Sequence, residues 1–266
     1  MQNLSAMMVR VLNNAKKNGV DIQPMTAEEK EDWDYKSFLK SKAEADRFKQ
    51  RHWRRKSLWS GNNPLHFTLD LWKPELQKNS QLAATLGNQS FRFAQQMAKK
   101  DFNVLMVGPA GTGKTSLALA IAEKLVADQQ REYVFISTMA LSRLFNDRFH
   151  DNGESDERLS RLYKAASQTK LLILDDFGTE AGMKQYDKQG NTYYKPVRKD
   201  MQEWLFDLSN ARYEEATNSH KGSTIITTNY TGKELMQMYQ PKMLSRLIPK
   251  GEQNIMKFNG LEDMRR

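Results

Sequence analysis

Between residues 103 and 258, short apolar runs alternate with longer stretches in which apolar residues recur at helical spacing. The runs are NVLMV at 103–107, YVFIS at 133–137, LLILD at 171–175, STIITT at 223–228 and NIMKF at 254–258. Each is apolar along most of its length, the pattern of a strand covered on both faces, so the alternation predicts an α/β domain with a parallel sheet flanked by helices. Residues 1–60 read differently. Met7, Met8, Val11 and Leu12 fall on one helical face, and a second helical run begins near Ala27, after Pro24. This segment is too small for a core of its own. The break Ser60-Gly61-Asn62-Asn63-Pro64 predicts a boundary between a small helical N-terminal region, 1–60, and the α/β domain, 61–266. No internal repeat and no low-complexity tract is evident.

Charge changes this picture. With 41 Lys and Arg against 32 Asp and Glu, the formal charge is +9, which favours polyanionic partners. The excess concentrates in Lys36–Lys56, where nine basic residues face only Glu44 and Asp46, interleaved with Phe38, Phe48 and Trp53. That run is either a solvated basic helix or a docking arm for a protein or a nucleic-acid backbone. The chain has no cysteine, which excludes disulfides, a zinc ribbon, an iron–sulfur cluster and a thiol nucleophile, and fits a reducing, cytoplasmic setting. The four histidines are scattered without metal-ligand spacing. Arg10 interrupts the N-terminal apolar stretch and no window nears the about 18–20 apolar residues of a membrane span, so neither a signal peptide nor a membrane partner is expected.

The chemistry concentrates at Gly108-Pro109-Ala110-Gly111-Thr112-Gly113-Lys114-Thr115, between an apolar strand and the helical SLALAIAEKL. This is the G-x-x-x-x-G-K-[ST] phosphate loop in its proper context. Its glycines let the backbone wrap phosphates, Lys114 neutralises the β- and γ-phosphates of ATP, and the Thr115 hydroxyl reaches Mg2+. A magnesium nucleotide also needs a carboxylate at a neighbouring strand tip, and LLILD ends in Asp175-Asp176. Asp175 is expected to hold the metal through its water shell and Asp176 to orient or deprotonate the attacking water. Together these form a Walker A and B pair.

Two further polar residues are candidates on weaker patterns. Asn229 follows STIITT: it is either a turn residue or, if that strand lies between the two Walker strands, a group that positions the lytic water. Arg246, in PKMLSRLIP, is either a surface residue or a finger that stabilises phosphoryl-transfer charge in a neighbouring subunit.

Taken together, GPAGTGKT, LLILDDFG, DMQEWLFDLSNARYEEATNSHKGSTIITTN and MLSRL resemble the AAA+ ATPases of the DnaC/DnaI replicative-helicase loader and IstB group over about residues 60–266. The more discriminating parts are the NARY helix, the LSRL arginine and the tail NIMKFNGLEDMRR, which follows with no helical lid domain. The resemblance implies nucleotide and hydrolysis roles for Lys114, Thr115, Asp175 and Asp176, the sensor role for Asn229 and the finger role for Arg246. It also implies an N-terminal region that grips a DnaB-type hexameric helicase and a central surface that holds single-stranded DNA. Asp176 stands where Glu is usual in AAA+ proteins at large, although a DD pair looks normal in this group; slow hydrolysis with a switch-like role is expected.

The segment GTEAGMKQYDKQGNTYYKPVRKD, after the Walker B strand, is longer than that group leads one to expect. Tyr194, Lys195 and Arg198 lie in it among other basic and aromatic residues, and its DKQGN centre predicts a turn with extended arms. It is either a solvated hairpin or a contact for single-stranded DNA, whose phosphates need cations and whose bases need stacking surfaces. The expected function is therefore an ATP-dependent helicase loader that self-associates through ATP-bridged interfaces. The alternative is an IstB-like transposition helper acting on duplex DNA.

Overall fold

The computed structural model describes residues 17, 26–61, 63–129, 132–182, 184–187, 189–190 and 192–265, and no side chain is described at 43, 45–55 or 129. The expectations placed on Met7, Met8, Val11, Leu12, Pro24, Asn62 and the side chains of Phe48 and Trp53 lie outside these. The chain forms two compact units, 1–49 and 50–266. In the first, helix α1 (Ala27–Lys56) begins at a reciprocal cap. The Glu29 amide donates to the Thr26 hydroxyl at 3.2 Å and the Thr26 amide to the Glu29 carboxylate at 2.8 Å. Among the described residues no helix is long and apolar enough to cross a membrane.

The second unit is built on α2 (Ser80–Met97), β1 (Val104–Val107), α3 (Lys114–Gln129), β2 (Tyr133–Ser137), α4 (Thr138–Asp147), α5 (Glu154–Gln168) and β3 (Leu171–Asp175). A short hairpin, β4 (Gln185–Tyr186) with β5 (Thr192–Tyr193), precedes α6 (Lys199–Ala211), and a second, β6 (Tyr213–Glu214) with β7 (Ser219–His220), follows it. Then come β8 (Ser223–Thr228), α7 (Gly232–Met238), α8 (Pro241–Leu247) and β9 (Ile255–Lys257). The five apolar runs are the five strands of one sheet, wholly parallel, in the order β2-β3-β8-β1-β9. This is the P-loop, AAA+-like α/β architecture that the sequence predicts. The hairpin β4–β5 is the predicted turn with extended arms; β6–β7 is not foreshadowed by any pattern.

The continuous apolar runs follow from burial on both faces. Leu105, Val134, Ile136, Leu172, Leu174 and Ile226 face a layer formed by α4 to α8. Their neighbours Val104, Met106, Tyr133, Phe135, Ile173 and Ile225 face α2 and α3. Ile173 is fully buried, and truncating such a side chain to Ala costs about 2–5 kcal/mol. The edge strand β2 is covered by residues 57–59. Leu58 bridges Ile136, its amide donating to the Phe135 carbonyl at 2.7 Å, and Trp59 stacks on Phe135 with ring centroids 4.2 Å apart.

The arginine of the NARY sequence has a structural explanation. Arg212, 3% exposed, donates to the carbonyls of Ala166, Thr169 and Ser223, each at 2.8 Å, and so ties the end of α6 to the segment preceding β3 and to the start of β8.

Candidate nucleotide site

Strand order decides the geometry of the site. Because β8 lies between β1 and β3, the loop after β1, the carboxylates ending β3 and the polar end of β8 converge at the carboxyl edge of the sheet. The Gly108 amide donates to the Thr228 carbonyl at 3.3 Å, which sets Asn229 beside the start of the phosphate loop with its side chain exposed.

Within the loop, Thr112 closes back on the Pro109 carbonyl through its hydroxyl at 2.9 Å. Gly113 has φ +90° and lies under the Trp72 indole; a β-carbon there would sit 2.5 Å from the ring. Gly111, at φ +74°, is covered by a segment from the far end of the chain. The Met264 amide donates to its carbonyl at 3.1 Å and the Asp263 carboxylate packs against its Cα. Helix α3 starts at Lys114, so its first amides open onto the loop. The Lys114 ammonium donates to the carbonyls of Gly108, at 2.8 Å, and Pro109, at 2.6 Å. Burial pushes its pKa down, Arg265 adds to that push, and the carboxylates of Asp176 and Asp175 oppose it.

The two Walker motifs meet in one hydrogen bond. The Thr115 hydroxyl donates to Asp175 Oδ1 at 2.7 Å, and Thr227, wholly buried in β8, donates to the same oxygen at 2.7 Å. Asp175 is 5% exposed, and burial, reinforced by the neighbouring Asp176 charge, pushes its pKa up to about 6. Asp176 is partly exposed beyond the strand tip with a left-handed backbone, φ +55°. Its amide donates to Thr227 Oγ1 at 3.0 Å, and its carbonyl accepts the Thr138 hydroxyl at 3.0 Å. One hydroxyl and one ionisable carboxylate at a phosphate loop form a hard-oxygen donor set, and it fits Mg2+ arriving with a nucleotide. Thr227 and Thr138 were not singled out in the sequence. The alternation of β8 places Thr227 on the Asp175 side, but only the strand order makes that useful.

Arg246 is not part of this constellation in its own chain. The Asn103 side chain, immediately before β1, donates to the carbonyls of Arg246 and Leu247, both at 2.9 Å, so α8 ends at the edge of the sheet opposite the phosphate loop. The Arg246 side chain is 10% exposed, paired with Glu215 and set over the rings of Tyr213 and Phe206.

The three residues expected to meet DNA also stand apart from the loop, and one expectation needs correcting. Tyr194 is 8% exposed, its hydroxyl donating to Glu234 at 3.0 Å and its ring packed edge-on against Tyr230, so it presents no open face to a base. Burial and Glu234 push its phenol up to about 12. Arg198 is half-buried, ion-paired with Asp200 and hydrogen-bonded to Asn146, whereas Lys195 is exposed. The exposed rings of this insertion are Tyr186 and Tyr193.

A family model described as IstB-like ATP binding protein matches residues 16–250. A protein of insertion sequence IS21 from Pseudomonas aeruginosa, named for ATP binding, is 30% identical over 146 residues, covering 55% of this chain and 45% of its own. Its namesake from IS232 of Bacillus thuringiensis subsp. berliner is 28% identical over 159 residues, covering 60% and 51%. The chain therefore spans about half the length of the curated relatives it matches. Among solved structures, that of the DnaC helicase loader superposes with a TM-score of 0.48 at 21% identity, over 71% of this chain and 95% of that one.

Proposed function

This chain belongs to the family of IstB-like ATP binding proteins, and on that premise we propose that it is an ATPase that loads a DnaB-type hexameric helicase onto single-stranded DNA. The observation that carries the ATPase half is the Thr115–Asp175 bond, which joins the phosphate loop to the strand-tip carboxylates. Lys114 leaves the carbonyls of Gly108 and Pro109 for the β- and γ-phosphates, and the amides of the loop and of α3 hold the remaining oxygens. Thr115 and Asp175 would hold Mg2+, which would supply neutralisation of charge on the phosphate oxygens. Asp176 accepts from and orients the attacking water and takes its proton, with the Asn229 side-chain amide as a second hydrogen-bond partner of that water. Arg246 lies at the wrong edge of the sheet for its own loop, so it serves a neighbouring subunit's nucleotide and turnover requires self-association.

The partner half of the proposal rests on α1. Tyr35, Phe38 and Leu39 are exposed along one side of that helix, an apolar surface suited to another protein, and Trp33 is exposed on the opposite side. Among the described residues of the β4–β5 insertion, Lys184, Lys195, Tyr186 and Tyr193 are exposed cations and rings of the kind that suit a single strand.

The names of the IS21 and IS232 relatives favour a second reading, a transposition helper that assembles on duplex DNA. Light scattering on the full chain with a DnaB-type hexamer, with ATP or ADP and with single-stranded or duplex DNA, separates the two. A stable complex with the hexamer supports the loader. No complex with the hexamer, together with ATP-dependent assembly on duplex alone, replaces it with the second reading.

A further inference from the structure

Four residues after Asp176, Glu180 makes contacts that the proposed chemistry does not use. Both of its carboxylate oxygens accept hydrogen bonds: Oε2 from the Gly178 amide at 3.1 Å and Oε1 from the Tyr239 hydroxyl, with the Thr138 hydroxyl a further neighbour. Tyr239 is 4% exposed, and its ring stacks on the fully buried ring of Phe177 with centroids 4.3 Å apart and planes 14° from parallel. The turn Asp176-Phe177-Gly178-Thr179 is therefore gripped from both sides. Phe177 donates its amide to the Thr227 carbonyl at 2.9 Å, and Thr179 donates to the Asp176 carbonyl at 3.0 Å.

The grip matters because the turn is not one that an aspartate adopts freely. Asp176 sits at φ +55° and Gly178 at φ +99°, and a non-glycine residue in the left-handed region persists only where its surroundings hold it. Tyr239 also ends α7 and stands two residues before Pro241, the first residue of α8, which carries Arg246. One carboxylate thus joins the turn that aims Asp176 to the short connection between α7 and α8, the helix that carries the arginine. Burial pushes the Glu180 pKa above the usual carboxylate range. A glutamine could face the Gly178 amide with its oxygen only by pointing its N–H at the Tyr239 hydroxyl, which would then accept and leave its own buried O–H without the carboxylate acceptor.

We propose that Glu180 is a positioning residue for Asp176, and that its bond to Tyr239 couples the nucleotide-facing turn to α8 and Arg246. This deepens the ATPase reading and rests on it for its functional part. The test compares Tyr239→Phe, which keeps the ring stack and deletes one donor, and Glu180→Gln with the unaltered full chain. Hydrogen exchange is followed in peptides spanning 175–182, 240–248 and 107–116, alongside the affinity for a fluorescent ATP analogue and the kcat and KM of hydrolysis.

Both variants are expected to exchange about tenfold faster at 175–182, with the 107–116 phosphate loop unchanged. Analogue affinity and KM should stay within about twofold while kcat falls about tenfold or more, and Glu180→Gln added to Asp176→Asn should cost nothing further. The change in exchange at 240–248 that nucleotide produces in the unaltered chain should disappear in Tyr239→Phe. Unchanged exchange at 175–182, or a loss of analogue affinity in step with kcat, overturns the proposal. If the unaltered chain hydrolyses no ATP in any assembly, the ATPase reading fails by itself, while exchange at 175–182 and 240–248 still decides whether the coupling exists.

Discussion

The Thr227 hydroxyl donates to Asp175 Oδ1 at 2.7 Å and accepts the Asp176 amide at 3.0 Å, so one side chain of β8 fixes both carboxylate residues at the tip of β3. A hydroxyl is needed for this, since it is the small group that both donates and accepts. The bond between Thr227 and Asp175 is buried between the strands, and the one from the Asp176 amide is partly so.

Replacing Thr227 by Val keeps the β-branched shape that the strand favours and removes both bonds. The Asp176 amide then loses its acceptor and Asp175 keeps only Thr115. The expected loss is about 1–3 kcal/mol in urea unfolding, the cost of an unsatisfied buried polar group. Hydrolysis should fall more than nucleotide affinity, because the loop contacts of Lys114 do not involve Thr227. Equal losses in both would place Thr227 in folding alone.

Lys114→Ala and Asp176→Asn should separate binding from turnover. The first deletes the cation facing the phosphates, and titration with labelled ATP should detect little or no binding. The second leaves the loop intact and removes the water-orienting carboxylate, so binding persists while turnover falls by about 10²–10⁴. Turnover by Lys114→Ala at the unaltered rate would remove the loop from the mechanism.

Asp175→Asn is expected to stabilise the protein when magnesium is absent. The folded-state pKa is raised to about 6, so the fold bears the cost of a buried charge above that pH, and the cost vanishes below the ordinary carboxylate value near 3.8. Asparagine keeps an acceptor oxygen for Thr115 and Thr227 and carries no charge. Thermal unfolding at pH 7.5 without magnesium should show a gain of roughly 3 kcal/mol that shrinks as the pH falls through about 6 and is gone below 3.8. In exchange, the stabilisation that magnesium and nucleotide give together should be lost.

The five apolar runs became the five strands because strands buried on both faces need unbroken apolar sequence, and the phosphate loop was legible because its spacing has one purpose. What lay beyond reading were relations set by strand order. Thr227 looks like any strand threonine until β8 stands beside β3. Glu180 looks like a loop glutamate until Tyr239, 59 residues on, meets it. Tyr194 was misjudged for a related reason: basic and aromatic interleaving marks a loop for solvent or nucleic acid, but one ring of the three anchors the insertion to α7 through Glu234.

Arg246 offers the most discriminating experiment. Its guanidinium is held by Glu215, which is 76% exposed, and lies over two aromatic rings, so it is ordered in the single chain without touching that chain's own nucleotide site. Arg246→Ala removes packing as well as charge, and Arg246→Lys, which keeps a cation but not the planar fork, is the better first variant. Either alone should lower hydrolysis in assemblies. Mixed in equal amounts with Lys114→Ala, an Arg246 variant can form interfaces that join its intact loop to its neighbour's intact arginine. Random mixing gives such an interface half times half of the time, so these interfaces should contribute about a quarter of the unaltered activity, above what either variant shows alone. A mixture no more active than its components would mean that Arg246 acts only in packing α8 against β6, and self-association would lose its place in the mechanism.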